Sequence, residues 1–192
     1  MSRRPVHRPV PLNASGVQPL PMAEIHAILR AADPIVGRGG RALLTKVLRG
    51  SRSSDVLRHG LDENPFHGYY RNLPEADVIA KIDWMIVQRY LYIVYEGRLP
   101  VLAYTPTGWM IERENYADEL FRGFDDLLAS GKRPYAMGYL KDRDRTMIMM
   151  VLDKVQASGD PKYLPLLEDW AHLDYQKIRQ RIRQVSACLA GQ

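Results

Sequence analysis

At 192 residues, with 46% hydrophobic and 26% charged side chains, the chain has the composition of a globular protein of one generous domain or two small ones. The single Cys188 excludes an internal disulfide and any zinc site built on several cysteines, and the longest apolar run, Met147 to Leu152, is far too short to span a membrane. The net charge of +5 is uneven: residues 38–58 hold six basic side chains (Arg38, Arg41, Lys46, Arg49, Arg52, Arg58) against Asp55 alone, whereas from residue 101 onward thirteen basic and thirteen acidic residues cancel. Such a window suits a polyanion better than it suits a solvated helix face.

Residues 1–20 carry Pro5, Pro9, Pro11 and Pro19 together with Arg3, Arg4 and Arg8 and no acid, the composition of a flexible basic arm. No apolar stretch follows the arginines as a secretory signal would require, so the protein is expected in the cytoplasm. Pro21 to Ala32 reads as a first helix with Ile25, Ile28 and Leu29 inward. Gly37, Gly39 and Gly40 break the pattern but belong to no GxxxxGK[ST] phosphate loop, so no ATP is expected.

A second helix runs from about Gly40 to Arg49. Leu43, Leu44, Val47 and Leu48 form its buried face, and Lys46, Arg49 and Arg52 are left to solvent. Gly50 lets the backbone leave the helix, and Ser51 or Ser53 is the N-cap of a short third helix whose inward residues are Val56 and Leu57. Basic side chains and hydroxyls beside a helix N-terminus are the chemistry of a phosphate site. The loop DENPFHGYY follows, its aromatics Phe66, Tyr69 and Tyr70 read as pins to the core.

PEADVIAKIDWMIVQRY is the clearest helix, with Val78, Ile82, Met85 and Ile86 inward and Asp77, Lys81, Trp84 and Gln88 on the other side. Trp84 is expected to pack, and Lys81 and Gln88 to face solvent or ligand. The period then turns extended: LYIVY, a turn EGRL, and PVLAY make a hairpin in which Pro100 must sit where no ladder donor is needed. Three helices and a hairpin in this order are those of a winged helix.

In order, VLRGSRSS, FHGYYRNL, IDWMIVQRYL and PVLAYTPTG resemble the winged-helix RQC domain found at the C-terminus of RecQ helicases. The resemblance runs from about Gly37 to Gly108, and its most specific parts are the LRGS turn, the glycine loop and the strand ending AYTPTG. With neither a helicase motor nor a four-cysteine zinc module before it, the chain looks like a stand-alone, "RQC-minor" type of DNA-binding protein. The resemblance implies that Arg49, Ser51 and Ser53 grip duplex phosphates and that the helix before the wing, through Lys81 and Gln88, lies near the backbone. Local charge adds Arg41, Lys46 and Arg52. In helicases of this family the wing carries a strand-separating aromatic. The tip here is Glu96, Gly97, Arg98 and Leu99, so Tyr95 and Arg98 are the wing residues assigned to DNA, and strand separation stays open.

The second half reads as helical: Trp109 to Ser130 as one or two helices, GKRPYAMGYL as a loop, RTMIMMVLDKV as an apolar helix, a short helix between Pro161 and Leu173, and a last helix with Tyr175, Ile178, Ile182, Val185 and Leu189 inward. Lys177, Arg179, Arg181 and Arg183 read as its solvated face, and Cys188 as a buried side chain. No HExxH, GxSxG or other catalytic motif occurs, and His7, His26, His59, His67 and His172 are scattered.

The fold expected is mainly α with a small β-hairpin: a basic arm over 1–20, an RQC-like winged helix over 21–110 and a helical region over 111–192. The expected function is non-catalytic binding of double-stranded DNA, forked or structured DNA included, without cofactor or metal and with no membrane association. A protein partner for the C-terminal helices is left open. The alternatives are a sequence-specific transcription regulator and a protein-interaction scaffold.

Overall fold

A computed structural model describes residues 9–191. Arg3, Arg4, His7 and Arg8 of the basic arm lie outside the described residues. The chain divides into two compact units at Glu112/Arg113.

The first unit opens with α1 (Met22–Ala32), which follows Pro21 and buries Ile25, Ile28 and Leu29. α2 (Arg41–Leu48) buries Leu44, Val47 and Leu48, and the five-residue α3 (Ser54–Arg58) buries only Val56. Leu57, expected to point inward, is 44% exposed: one turn and a half of helix has room for a single core contact. α4 (Glu75–Val87) buries Val78, Ile82 and Met85, and Trp84 packs on the core with its ring stacked on Tyr90 at 6.1 Å. The order of helices and hairpin is that of a winged helix, and the fold is mainly α as expected.

The wing is β1 (Leu91–Glu96) paired antiparallel with β2 (Leu99–Tyr104), in a register that sets Tyr95 opposite Pro100 and Glu96 opposite Leu99. Its turn is therefore two residues, Gly97 and Arg98, rather than the four of EGRL, and Gly97 supplies the positive φ of 61° such a tight turn favours. The outer edge of β2 is engaged at its middle: the Leu102 amide donates to Gly39 and its carbonyl accepts from Gly37, both at 2.9 Å. Backbone groups alternate in direction along a strand, so Pro100, two residues earlier, also turns its amide side away from β1. The missing N–H costs the ladder nothing.

The AYTPTG stretch is where the wing becomes the next helix, α5 (Pro106–Ser130). Thr105 Oγ1 accepts from the Gly108 amide at 3.0 Å and donates to the Tyr90 carbonyl at 3.1 Å, an N-cap with proline directly after it. A Cβ on Gly108 would lie 1.9 Å from the Tyr90 carbonyl oxygen, so only glycine lets the helix start this close to the end of α4.

The part of the arm that is described is tied to this unit. Asn13 donates its amide to Asp83 at 2.7 Å, and Leu20 is buried in the core. Residues 13 and 20 thus make specific contacts with the helices of this unit.

The second unit contains the rest of α5, a 3₁₀ turn at Met137–Leu140 inside the expected loop, α6 (Arg145–Ser158), α7 (Leu164–Ala171) and α8 (Gln176–Ala190). The region from Trp109 to Ser130 is one continuous helix. Asp144 caps α6 through the Met147 amide at 2.9 Å. Phe124 and Trp170 meet edge to face at 6.0 Å in a core that includes Met147, Leu152, Ile182 and Val185. Two expectations fail here. Tyr175 precedes α8 and is 60% exposed, and Cys188 is exposed, with Gln156 at 3.7 Å. The α8 seam is only Ile178, Ile182, Val185 and Leu189, and Cys188 falls next to it rather than in it.

Among the described residues, no helix is long and apolar enough to cross a membrane.

Candidate nucleic-acid interface

The basic turn is a helix C-cap before it is anything else. Gly50 (φ +75°) stands just past the end of α2, the Gly50 amide bonds back to Val47 at 2.9 Å, and the Ser51 amide reaches Lys46 at 2.9 Å. These two bonds make a Schellman cap, for which glycine in the left-handed region is the favoured residue. LRGS is thus Leu48 closing the core, Arg49 at the cap, Gly50 reversing the chain and Ser51 emerging on the far side.

The HGYY loop completes the cap from a distance. The Gly68 amide donates to the Val47 carbonyl (2.9 Å) and the Tyr70 amide to the Leu48 carbonyl (2.7 Å), satisfying the last acceptors of α2. His67 Nε2 meets the Ser51 carbonyl at 3.0 Å. Tyr70 is buried, as expected of a pin, and Phe66 packs on the core, but Tyr69 is 42% exposed. The loop also brings in Arg71, whose Nε donates to the Gly68 carbonyl at 3.1 Å while its guanidinium passes close to Gly68. Sequence reading overlooked this exposed cation because it lies 21 positions beyond Gly50. The glycine in each segment is the only local hint that the two backbones meet.

Ser51 Oγ accepts the Ser53 amide at 3.2 Å, and Ser53 is the N-cap residue of α3 by position but not by hydrogen bond. Its own hydroxyl is buried without a partner among the described residues. A helix of five residues has little macrodipole, so an anion here would rest on side chains and free amides more than on α3 itself.

The cations around the turn differ in how far they are committed. Arg52 is exposed and enters no ion pair among the described residues. Lys46 meets Asp55 at 3.2 Å and Arg49 meets Glu75 at 3.3 Å, with both partners of each pair substantially exposed. Pairs of that kind contribute about 0–1 kcal/mol and exchange readily for another anion. Lys46 and Asp55 also line a cavity of about 510 Å³ between α2, α3 and the wing, whose other walls include Ile79, His59, Pro100 and Val101.

Other expected residues are placed differently. Arg41 lines the same cavity, but its guanidinium is bonded to the carboxylate of Asp83, which is buried, so it is a structural cation. Lys81, expected to face solvent or ligand, is part-buried and already paired. Its Nζ lies 2.7 Å from Glu24 and 5.3 Å from the centre of the Tyr70 ring. The reason is rotational: Ile79 is the residue of α4 that faces the cavity, and Lys81 stands about 200° further round the helix. Gln88 is exposed at the C-cap of α4 and returns to the Lys81 side, away from Ile79. Arg98 is exposed at the wing tip beside Leu99, which is 68% exposed, and Tyr95 is half-buried in β1. No contact among the described residues joins Arg98 or Gln88 to the basic turn.

Glu24 holds two donors at once, Lys81 and the Tyr70 hydroxyl. Burial alone would raise its pKa, but the hydrogen bonds from Lys81 and Tyr70 and the lysine charge outweigh that and hold the carboxyl below its ordinary value. The same arrangement pushes the Tyr70 hydroxyl far up, first by burial and then by the carboxylate it donates to. This is the chemistry of a clamp between α1, α4 and the glycine loop. Among the described residues no three His, Cys, Asp or Glu side chains gather as a metal site would need.

Comparison with protein-family models matches residues 22–118, half of the chain, to the RQC domain. No curated protein and no solved structure matches.

Proposed function

The chain belongs to the RQC domain family, and on that premise we propose that it binds double-stranded DNA through the basic turn, without catalysing a reaction. The proposed phosphate contacts are Lys46, Arg49, Arg52 and Arg71, with the hydroxyls of Ser51 and Ser53 alongside. One observation carries the reading. The Gly50–Gly68 contact sets Arg71 beside the LRGS turn, where the neighbouring cations are held only by exposed, exchangeable carboxylates. Phosphates positioned there would replace Asp55 and Glu75 as partners, and the cavity between α3 and the wing lies along the same side as Lys46.

The wing plays a lesser part in this proposal. A two-residue turn with Arg98 and Leu99 at its end offers a cation and an apolar tip but no ring to stack on a terminal base pair. We therefore assign Arg98 and Tyr95 to lateral contacts with the duplex. Lys81 and Gln88 would belong to a separate edge of the domain. A role in repair, replication or recombination is proposed from the family alone.

Titration of labelled duplex, forked and single-stranded DNA at two salt concentrations tests the proposal. Affinity for duplex should fall steeply as salt rises, because phosphate contacts release counterions. Binding that is undetectable or indifferent to salt sinks it. Selection from random duplexes separates this reading from a sequence-specific regulator, which would return a sharp motif.

A further inference from the structure

The second unit has its own concentration of charge. In that unit Lys154, Lys162, Arg133 and Arg181 are each matched to a carboxylate (Asp118, Asp125, Glu168 and Asp153), whereas Arg122, Lys132, Arg179 and Arg183 enter no ion pair among the described residues. Around the entrance to α6 and the start of α8 the balance is different. Lys141, Arg143, Arg145 and Lys177 gather there against Asp142, Asp174 and Asp144, whose carboxylate accepts the Met147 amide. Asp174 is buried with both oxygens occupied, one by Trp170 Nε1 at 2.8 Å and one by the Tyr175 amide at 2.7 Å. Arg143 is also engaged, its Nε donating to the Tyr139 carbonyl at 3.2 Å and its guanidinium lying over the Tyr116 ring at 5.1 Å. Arg145 and Lys177 enter no ion pair among the described residues.

These cations rim a cavity of about 620 Å³ with an apolar floor of Ile148 and Ile178. Tyr175 forms a wall: it is 60% exposed, and Lys141 Nζ sits 5.4 Å from its ring centre. An exposed ring with an ammonium over one face, beside an apolar floor and between two unpaired cations, combines a stacking platform on its other face with phosphate contacts. A duplex presents no free base face to such a ring; an unpaired strand does. A purely acidic peptide would use the cations but would leave the ring and the floor without a purpose.

We propose that this pocket binds single-stranded DNA, one base stacking on Tyr175 and the flanking phosphates lying on Lys141, Arg145 and Lys177. The contact is separate from the duplex site proposed for the winged helix and does not rest on it.

The test uses the full chain and labelled oligothymidine, a probe that forms no duplex. The protein should bind it, and R145A/K177A and Y175A should each weaken that binding about tenfold, whereas Y175F, which keeps the ring, should retain it. All three side chains changed are on the surface, and a duplex probe serves as control, with an expected change under about twofold. R49A/R52A should leave oligothymidine binding within the same limit, so a failure of the duplex reading does not disturb this result. Unchanged oligothymidine affinity in both R145A/K177A and Y175A overturns the proposal. So does equally strong competition by polyglutamate, which would mark the pocket as a charge-only surface for acidic peptides.

Discussion

Gly50 and Gly68 stand back to back, each with a positive φ, so close that a Cβ on Gly50 would lie 3.0 Å from the Gly68 α-carbon. This contact binds the basic turn to the aromatic loop, and the obstacle on the far side is backbone, which cannot swing away. Gly50→Ala is therefore expected to cost about 2 kcal/mol in urea denaturation, from left-handed strain plus displacement of the loop. Gly68→Ala, whose Cβ would sit at 3.4 Å, meets only the conformational part and should cost about 1 kcal/mol. Equal losses would show that the close approach is not what requires glycine at Gly50.

Arg41 separates support from contact. Removing it leaves the Asp83 carboxylate buried with, among the described residues, only the Asn13 amide as a hydrogen-bond donor. Arg41→Ala should destabilise the protein by about 3 kcal/mol, the order found when one partner of a buried ion pair is deleted. Duplex affinity measured well below the unfolding transition should change little. A large affinity loss with unchanged stability would move Arg41 back among the DNA contacts.

Glu75 competes with phosphate for Arg49 across an exposed 3.3 Å pair. Glu75→Gln should alter stability by less than about 0.5 kcal/mol, as is usual for a surface pair. It should raise duplex affinity about twofold or more at low salt, with the gain fading as salt screens the carboxylate. Weaker binding by this variant would mean that Glu75 orients Arg49 rather than occupying it.

Glu24 gives the winged helix an acid-sensitive clamp. Its pKa is held below the ordinary 4.5 in the folded protein, against desolvation, by Lys81 and Tyr70. The stability it contributes is fully present above that ordinary value and is lost as pH falls through the lower folded value. Thermal unfolding followed from neutral pH to about pH 3 should show Glu24→Gln less stable than the parent at neutral pH, with the difference closing in acid. Parallel pH profiles would remove Glu24 from the acid limb.

Periodicity made the helices of the first unit and the two strands readable, because each buries one face at regular spacing. The resemblance added AYTPTG and LRGS as motifs, and the structure supplies their reasons: a threonine N-cap against Tyr90, and a Schellman cap completed by another loop. What stayed hidden is pairing at long range. Arg41 and Asp83 lie 42 positions apart, Lys81 and Glu24 57 apart, and nothing in either local pattern announces the partner. Arg71 escaped notice for the same reason. The polar side of α4 was visible, but which element lay against it was not. Leu57 and Cys188 were misplaced because one apolar residue in a short helix, or beside a helical seam, carries too little pattern to orient it.

The two hydrogen bonds that Leu102 makes to Gly37 and Gly39 have a bearing on aggregation. A two-stranded ribbon on a protein surface exposes backbone groups to which a strand of another molecule can add, and the middle of the outer strand is where such an addition would register. Here that position is already taken by the chain itself, and Pro100 beside it has no amide to offer. Strand-by-strand growth at β2 is blocked at its centre, so association through this edge would first require the Gly37–Gly39 segment to peel away.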